Sequence, residues 1–467
     1  MTSEITYIPR LIDSQILLWK DQPRHKQLLL RGARQVGKSS SIRHLGQKFN
    51  NFIEVNFEKR PELKEVFSRN HDVKQIAAEI GRIFNTRVKP GETLLFFDEI
   101  QECDDALRSL WFFKEDYPEL HVIAAGSLLE FALKRITSYG VGRIRSLFMY
   151  PLSFEEFLAA LNKRGWIDAI REASPEKPLE ELLHKELINH FRSYIIIGGM
   201  PASVRAWVET RDYQESAGEL KDIQQSYYDD FVKYSDKVNP QLLRSTLDSV
   251  IAQTGKKFTF SHVQGGYRPE EVKQALTMLA DAGLITPIKR TAANGMPLGA
   301  ETNGKFVKYQ FLDSGLLLRI LDLNFGGIDK VTTEILTSSA SELVNRGGLA
   351  EMIAGWELIK SADPGTRHDL YYWENISRGS TSEVDFVIAR AMQVVPIEVK
   401  SGTSGKMKSL RFFIENKGLQ EGIRTSLENF GLLSYKTSEE TEITISIIPI
   451  YAIGRLTHNG HSGCLYG

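Results

Sequence analysis

"LLLRGARQVGKSSSIRHL" runs from Leu28 to Leu45. An apolar run meets Gly32, and Gly37 follows with Lys38 and Ser39 directly behind it. Gly32-Ala33-Arg34-Gln35-Val36-Gly37-Lys38-Ser39 fits the spacing G-x-x-x-x-G-K-[ST]. In such a loop the glycines let backbone N–H groups turn inward onto phosphate oxygens. Lys38 then reaches the β- and γ-phosphates and Ser39 ligates Mg²⁺. A helix opening at about Ser40 adds its positive N-terminal end. The stretch before the loop reads as a strand and the stretch after it as a helix, which is the context the motif needs.

Working outward, "FIEVNF", "TLLFFDE" and "HVIAAGS" are short apolar runs separated by helical patterns. That alternation predicts a parallel sheet with helices on both faces. "TLLFFDE" is apolar without alternation, as expected of a strand buried on both sides. It delivers Asp98 and Glu99 to the carboxyl edge of the sheet. There Asp98 would hold Mg²⁺ through water, and Glu99 would orient or deprotonate the attacking water. Ser127, at the end of the next strand, is a candidate sensor of the γ-phosphate. Arg143 and Arg145 in "GVGRIRSL" are candidates to stabilise charge in phosphoryl transfer, in cis or from a neighbouring subunit. The competing reading of each arginine is a surface ion pair.

Composition sets outer bounds. The chain has 467 residues, 42% hydrophobic and 25% charged, which argues against a disordered or fibrous class. At roughly 100–200 residues per domain, three or four domains are expected. Net charge is −1, so a nucleic-acid surface would have to be a local patch. Cys103 and Cys464 match neither a zinc spacing nor a disulfide framework, and the histidines form no metal cluster. No signal peptide and no membrane span is read, so a cytoplasmic protein is expected.

From Pro151 to about Pro240 the pattern is helical, with Ser153 as an N-cap. "GGMPASVRAWV" opens a further helix after a glycine–proline turn. Residues 241–320 read as helical segments followed by a hairpin, "LITPIKR" and "KFVKYQFLD", the order of a winged helix-turn-helix. This stretch carries ten Lys/Arg against six Asp/Glu, +4 locally. Arg268, Lys273, Lys289, Arg290, Lys305 and Lys308 are candidate phosphate contacts there. The alternative is a solvated face that serves protein contacts.

From about 336 the pattern returns to α/β. "SEVDFVIARAMQVVPIEVKSG" places Asp385 in one strand and Glu398 and Lys400 on one face of the next. An antiparallel pairing would bring Asp385 within reach of both. Asp385 and Glu398 would then bind Mg²⁺ or Mn²⁺, Lys400 would stabilise the attacking water or the transition state, and Glu351 would complete the cluster. The arrangement resembles the PD-(D/E)xK nuclease pattern, with Val384 where that pattern has proline.

"GARQVGKS", "FFDEIQ", "AGSLLEF", "GRIRSLFMYPLSFEEFL" and "GGMP" together resemble the prokaryotic AAA-type ATPases that carry a C-terminal domain of unknown function. The resemblance covers most of the chain. It implies an α/β P-loop AAA+ ATPase core over 1–150, a helical lid over 151–240, a winged helix-turn-helix over 241–335 and a restriction-endonuclease-like α/β domain over 336–467. "AGSLLEF" lacks the second serine seen in relatives, which leaves Ser127 as the sensor candidate. The expected function is ATP binding and hydrolysis coupled to action on DNA through a metal-dependent nuclease-like domain, with homo-oligomerisation. The alternative is a nucleotide-switched regulator or scaffold whose nuclease-like domain is inactive and binds a protein partner.

Overall fold

A computed structural model describes residues 7–69, 71–127, 129–135, 142–232, 238–321, 347–375, 382–400, 407–437 and 440–458. Cys464 and the expected boundary at 335/336 lie outside these residues.

The first unit starts with helix α1 (Ile12–Lys20) and strand β1 (Gln27–Arg31). It continues with α2 (Lys38–Gly46), β2 (Asn51–Asn56), α3 (Lys64–Arg69), α4 (Val73–Ile83) and β3 (Thr93–Asp98). α5 (Asp104–Asp116), β4 (His121–Ala125), α6 (Leu129–Arg135) and β5 (Ile144–Phe148) complete it. The strands form a parallel sheet in the order β2-β3-β4-β1-β5. The apolar runs are continuous because both faces are covered. Leu28, Leu30, Phe96 and Ile123 enter one core, and Leu29, Phe97 and Val122 enter the other. All six positions of β3 are buried.

Five helices follow: α7 (Phe154–Ala160), α8 (Arg164–Glu172), α9 (Glu181–Ile197), α10 (Pro201–Thr210) and α11 (Tyr213–Val232). Ser153 and Glu156 close a capping box on α7. The "GGMP" turn is an interlock. Gly199 accepts from Leu152 N–H (2.7 Å), and its own N–H donates to buried Asp313 (2.6 Å). Gly198 has φ +73°, and a side chain there would run into the Asp313 carboxylate.

Next come α12 (Pro240–Ala252), α13 (Pro269–Asp281), β6 (Ile285–Thr291), β7 (Thr302–Phe311) and α14 (Ser314–Ile320). The chain closes with α15 (Gly347–Lys360), β8 (Leu370–Glu374), β9 (Glu383–Arg390), β10 (Gln393–Val399), α16 (Lys408–Asn416), β11 (Glu421–Ser426), β12 (Gly431–Lys436) and β13 (Glu442–Pro449). The β6–β7 hairpin differs from the free wing expected of a winged helix. β6 pairs in parallel with β8, Ile288 opposite Leu370, so the hairpin joins one eight-stranded sheet in the order β12-β13-β11-β10-β9-β8-β6-β7. Between α12 and α13 there is a single 3₁₀ turn, Phe260–His262, in place of a middle helix. The reason is burial: Ile285, Ile288 and Phe311 enter the core shared with α15 and the first unit.

Candidate functional sites

The first site sits at the carboxyl end of β1. Gly32 has φ +147° and Gly37 φ +100°, which L side chains rarely adopt, and a Cβ on Gly32 would overlap the Met149 carbonyl. α2 begins at Lys38, so the loop N–H groups converge at a helix N-terminus. Lys38 Nζ donates to the carbonyls of Gly32 (2.9 Å) and Ala33 (2.7 Å), turned back onto its own loop. Burial lowers its pKa to about 8, against the opposing pull of Glu99 and Asp98.

Ser39 Oγ donates to Asp98 Oδ1 at 3.0 Å, so the two expected Mg²⁺-holding groups meet. Asn56 donates to the other Asp98 oxygen, also at 3.0 Å. Burial raises the Asp98 pKa, and neighbouring Glu99 raises it further. Glu99 has φ +50°, and its carboxylate accepts from Gln101 (2.7 Å) and from the Ser127 hydroxyl (3.3 Å). Lys38, Ser39, Asp98, Glu99 and Ser127 therefore lie at one sheet edge, and Ser40 is exposed on the first turn of α2.

Arg143 and Arg145 do not reach this edge within one chain. Arg145 on β5 lies opposite Leu28, toward the amino end of the parallel sheet, and contacts Gln15. Arg143 pairs with Glu115 and stacks on Trp111. The cis placement expected of either arginine is thus not found. The register carries both to the end of the strands away from the phosphate loop.

Sequence reading placed Arg34 in the loop but missed three groups around it, Arg10, Asp230 and Tyr227. Arg10, 5% exposed, donates to the Val36 carbonyl (2.7 Å) and the Tyr150 carbonyl (2.6 Å), and pairs with Glu156 (3.0 Å). Arg34 makes a two-oxygen contact with Asp230 of α11 at 2.7 and 2.9 Å. The Tyr227 hydroxyl donates to the Arg34 carbonyl (2.9 Å), so α11 rests on the loop itself. The Ser153-x-x-Glu156 capping signal was visible in sequence; its partner 146 residues upstream was not.

The second site lies in the eight-stranded sheet. β9 and β10 are antiparallel with Ile397 opposite Phe386, which puts Glu398 beside Asp385. Asp385 accepts from the Val399 N–H at 2.7 Å, and Lys400 Nζ donates to Glu398 Oε1. Glu398 Oε2 is buried and has no hydrogen-bond partner among the described residues. Glu351 on α15, Glu383 and Asp385 bring one oxygen each within 4.8 Å of one another. Glu383 was not foreseen, although it shares a strand face with Asp385 at a spacing of two. Burial pushes Glu351 up to about 8 in spite of Lys308, with Asp385 adding to the rise. Burial and Asp385 push Glu398 up to about 7. Burial raises Asp385 as well. Such a set, crowded with carboxylates, suits a hard divalent cation.

Residues 24–158 match the family model described as an AAA domain. Residues 188–325 and 346–453 match two models described as domains of unknown function, DUF8612 and DUF4143. Over residues 24–158 the chain is thus similar to AAA domains, with the phosphate loop at the edge of the parallel sheet. No curated protein matches the chain. Among solved structures it is similar to the Walker-type ATPase PABY2304 of Pyrococcus abyssi, at 16% identity and a TM-score of 0.44, over 68% of this chain and 96% of that one. It is also similar to the Aeropyrum pernix ORC1 protein in complex with DNA, at 10% identity and a TM-score of 0.28, over 71% and 97%. No helix among the described residues is long and apolar enough to cross a membrane.

Proposed function

We propose that this chain binds and hydrolyses ATP·Mg²⁺ at the first site and acts on DNA through a divalent-metal nuclease site in the second. Lys38 and the N–H groups of the Gly32–Ser39 loop hold the phosphates. Ser39 and Asp98 hold Mg²⁺, and Glu99 positions the attacking water once it leaves Gln101 and Ser127. Asp385 and Glu398 hold Mg²⁺ or Mn²⁺, which supplies Lewis-acid activation of a phosphodiester, and Lys400 stabilises the charge that develops.

The observation that carries the second half is the meeting of Asp385, Glu398 and Lys400 beside Glu351, with one buried Glu398 oxygen left without a partner. A carboxylate oxygen buried without a donor is costly, and a bound cation removes that cost. The test is incubation of the purified chain with plasmid and single-stranded DNA, in Mg²⁺ or Mn²⁺, with and without ATP. Cleavage lost in Asp385→Ala and Lys400→Ala supports the reading. Cleavage unchanged in Lys400→Ala refutes it.

A further inference from the structure

The carboxylate cluster already contains a cation of the protein's own. Lys308, on β7, is 1% exposed, and its Nζ lies 2.6 Å from Glu351 Oε1 and 2.6 Å from Glu383 Oε1. It also sits 5.0 Å from the centre of the Tyr372 ring. Two carboxylate oxygens at hydrogen-bonding distance offset the cost of burying its ammonium group. The placement comes from the fold. β7 lies three strands from β9, about 14 Å away in a flat sheet at ~4.8 Å per strand. The Lys308 and Glu383 side chains meet across that distance, so the hairpin strand reaches the site.

The charges close to a simple count. Glu351, Glu383, Asp385 and Glu398 bring four carboxylates, and Lys308 and Lys400 bring two ammonium groups. The next charged neighbours are matched separately: Glu374 pairs with Lys257, and Arg424 pairs with Glu428. With all four carboxylates ionised, as a bound cation would require, the cluster is short of two positive charges, the charge of one divalent ion. Glu351 and Glu383 each commit an oxygen to Lys308. Asp385 and the unpartnered oxygen of Glu398 remain to receive a metal.

Resting on the metal-site reading above, we propose that Lys308 stands where a second metal ion would otherwise sit. The site then takes one divalent cation, on Asp385 and Glu398, and Lys308 is a positioning residue delivered from a different part of the chain. It holds Glu351 and Glu383 in place without touching substrate.

Mn²⁺ titration of the nucleotide-free full-length chain, followed by electron paramagnetic resonance, tests this. Wild type is expected to bind one Mn²⁺ that Asp385→Asn loses, with no broadening from a neighbouring ion. Lys308→Arg keeps the charge and stays at one. Lys308→Met, with unchanged circular dichroism, admits a second Mn²⁺ whose spectrum is broadened by its neighbour. Two Asp385-dependent ions in wild type would overturn the proposal while leaving the metal site standing. A folded Lys308→Met that still binds one ion at wild-type affinity also overturns it. Absence of any Asp385-dependent Mn²⁺ overturns the metal-site reading and this proposal together.

Discussion

Gly199→Ala tests how the three parts of the chain are locked. A Cβ at Gly199 would lie 2.9 Å from the Leu152 nitrogen and closer still to its carbonyl oxygen. Real Cβ atoms do not come so near backbone, so the segment must move. Moving it stretches the Leu152 N–H to Gly199 bond and the Gly199 N–H to Asp313 bond, both in buried surroundings. A neutral buried backbone bond is worth about 1 kcal/mol, and one to a carboxylate about 1.5–3 kcal/mol. The expected loss is therefore roughly 2.5–4 kcal/mol before any packing strain. With an m-value of about 3 kcal/mol/M, that lowers the first urea midpoint by about 1 M. The assay is urea unfolding followed by tryptophan fluorescence, with far-ultraviolet circular dichroism alongside. Asp313 accepts from Gly199 N–H and from Leu316 N–H, so Asp313→Asn turns an amide NH2 against one of these buried donors and should also lower the midpoint. A Gly199→Ala midpoint within about 0.2 M of wild type would show that this turn bears no tight contact, and the interlock argument would fall.

Other outcomes follow from the two sites and the core. Lys38→Ala should abolish nucleotide binding, read by titration with a fluorescent ATP analogue; unchanged affinity would remove the phosphate loop from the mechanism. Glu99→Gln should retain bound ATP with turnover largely lost, as measured by phosphate release. Arg34→Ala and Asp230→Ala, alone and combined, should give a coupling energy of about 1–2 kcal/mol in unfolding midpoints, above the usual surface pair because Asp230 is buried. Burial, with His25 stacked on it, lowers His121 from 6.5 to about 4. The unfolded chain thus takes up this proton before the folded one does. Stability should be full above about pH 6.5 and decline as pH falls toward 4. His121→Gln should flatten that decline in thermal-unfolding profiles.

Local signals were legible in the sequence because they are local. The loop from Gly32 to Ser39 sits between a strand and a helix. The unbroken apolar run of β3 announces a strand buried on both faces, and the alternation in "PIEVK" puts Glu398 and Lys400 on one side. What sequence could not carry were partners far along the chain. Lys308 reads in sequence as a candidate phosphate contact on a hairpin, but it is buried between Glu351 and Glu383, because nothing near it encodes the parallel pairing of β6 with β8. Arg10 reaches Glu156 and the Val36 carbonyl only after the sheet, the lid and the N-terminal segment have come together. For Arg143 and Arg145 the sequence left two placements open, in cis or from a neighbouring subunit, and strand register, which sequence spacing does not fix, carries them away from the chain's own phosphate loop.

The pairing of β6 with β8 also bears on how this protein can be cut and recombined. A fragment starting near residue 336 would begin after the hairpin and lose the two strands at one end of its sheet, β6 and β7. β8, with Leu370, Tyr372 and Trp373 buried in the intact chain, would become a bare edge open to pairing with another molecule. Such a fragment would also lack the lysine that sits among its carboxylates. The C-terminal region is therefore not a cassette to be moved between proteins. It is inherited, expressed and engineered together with the hairpin that precedes it, and a separable unit has to start upstream of Ile285.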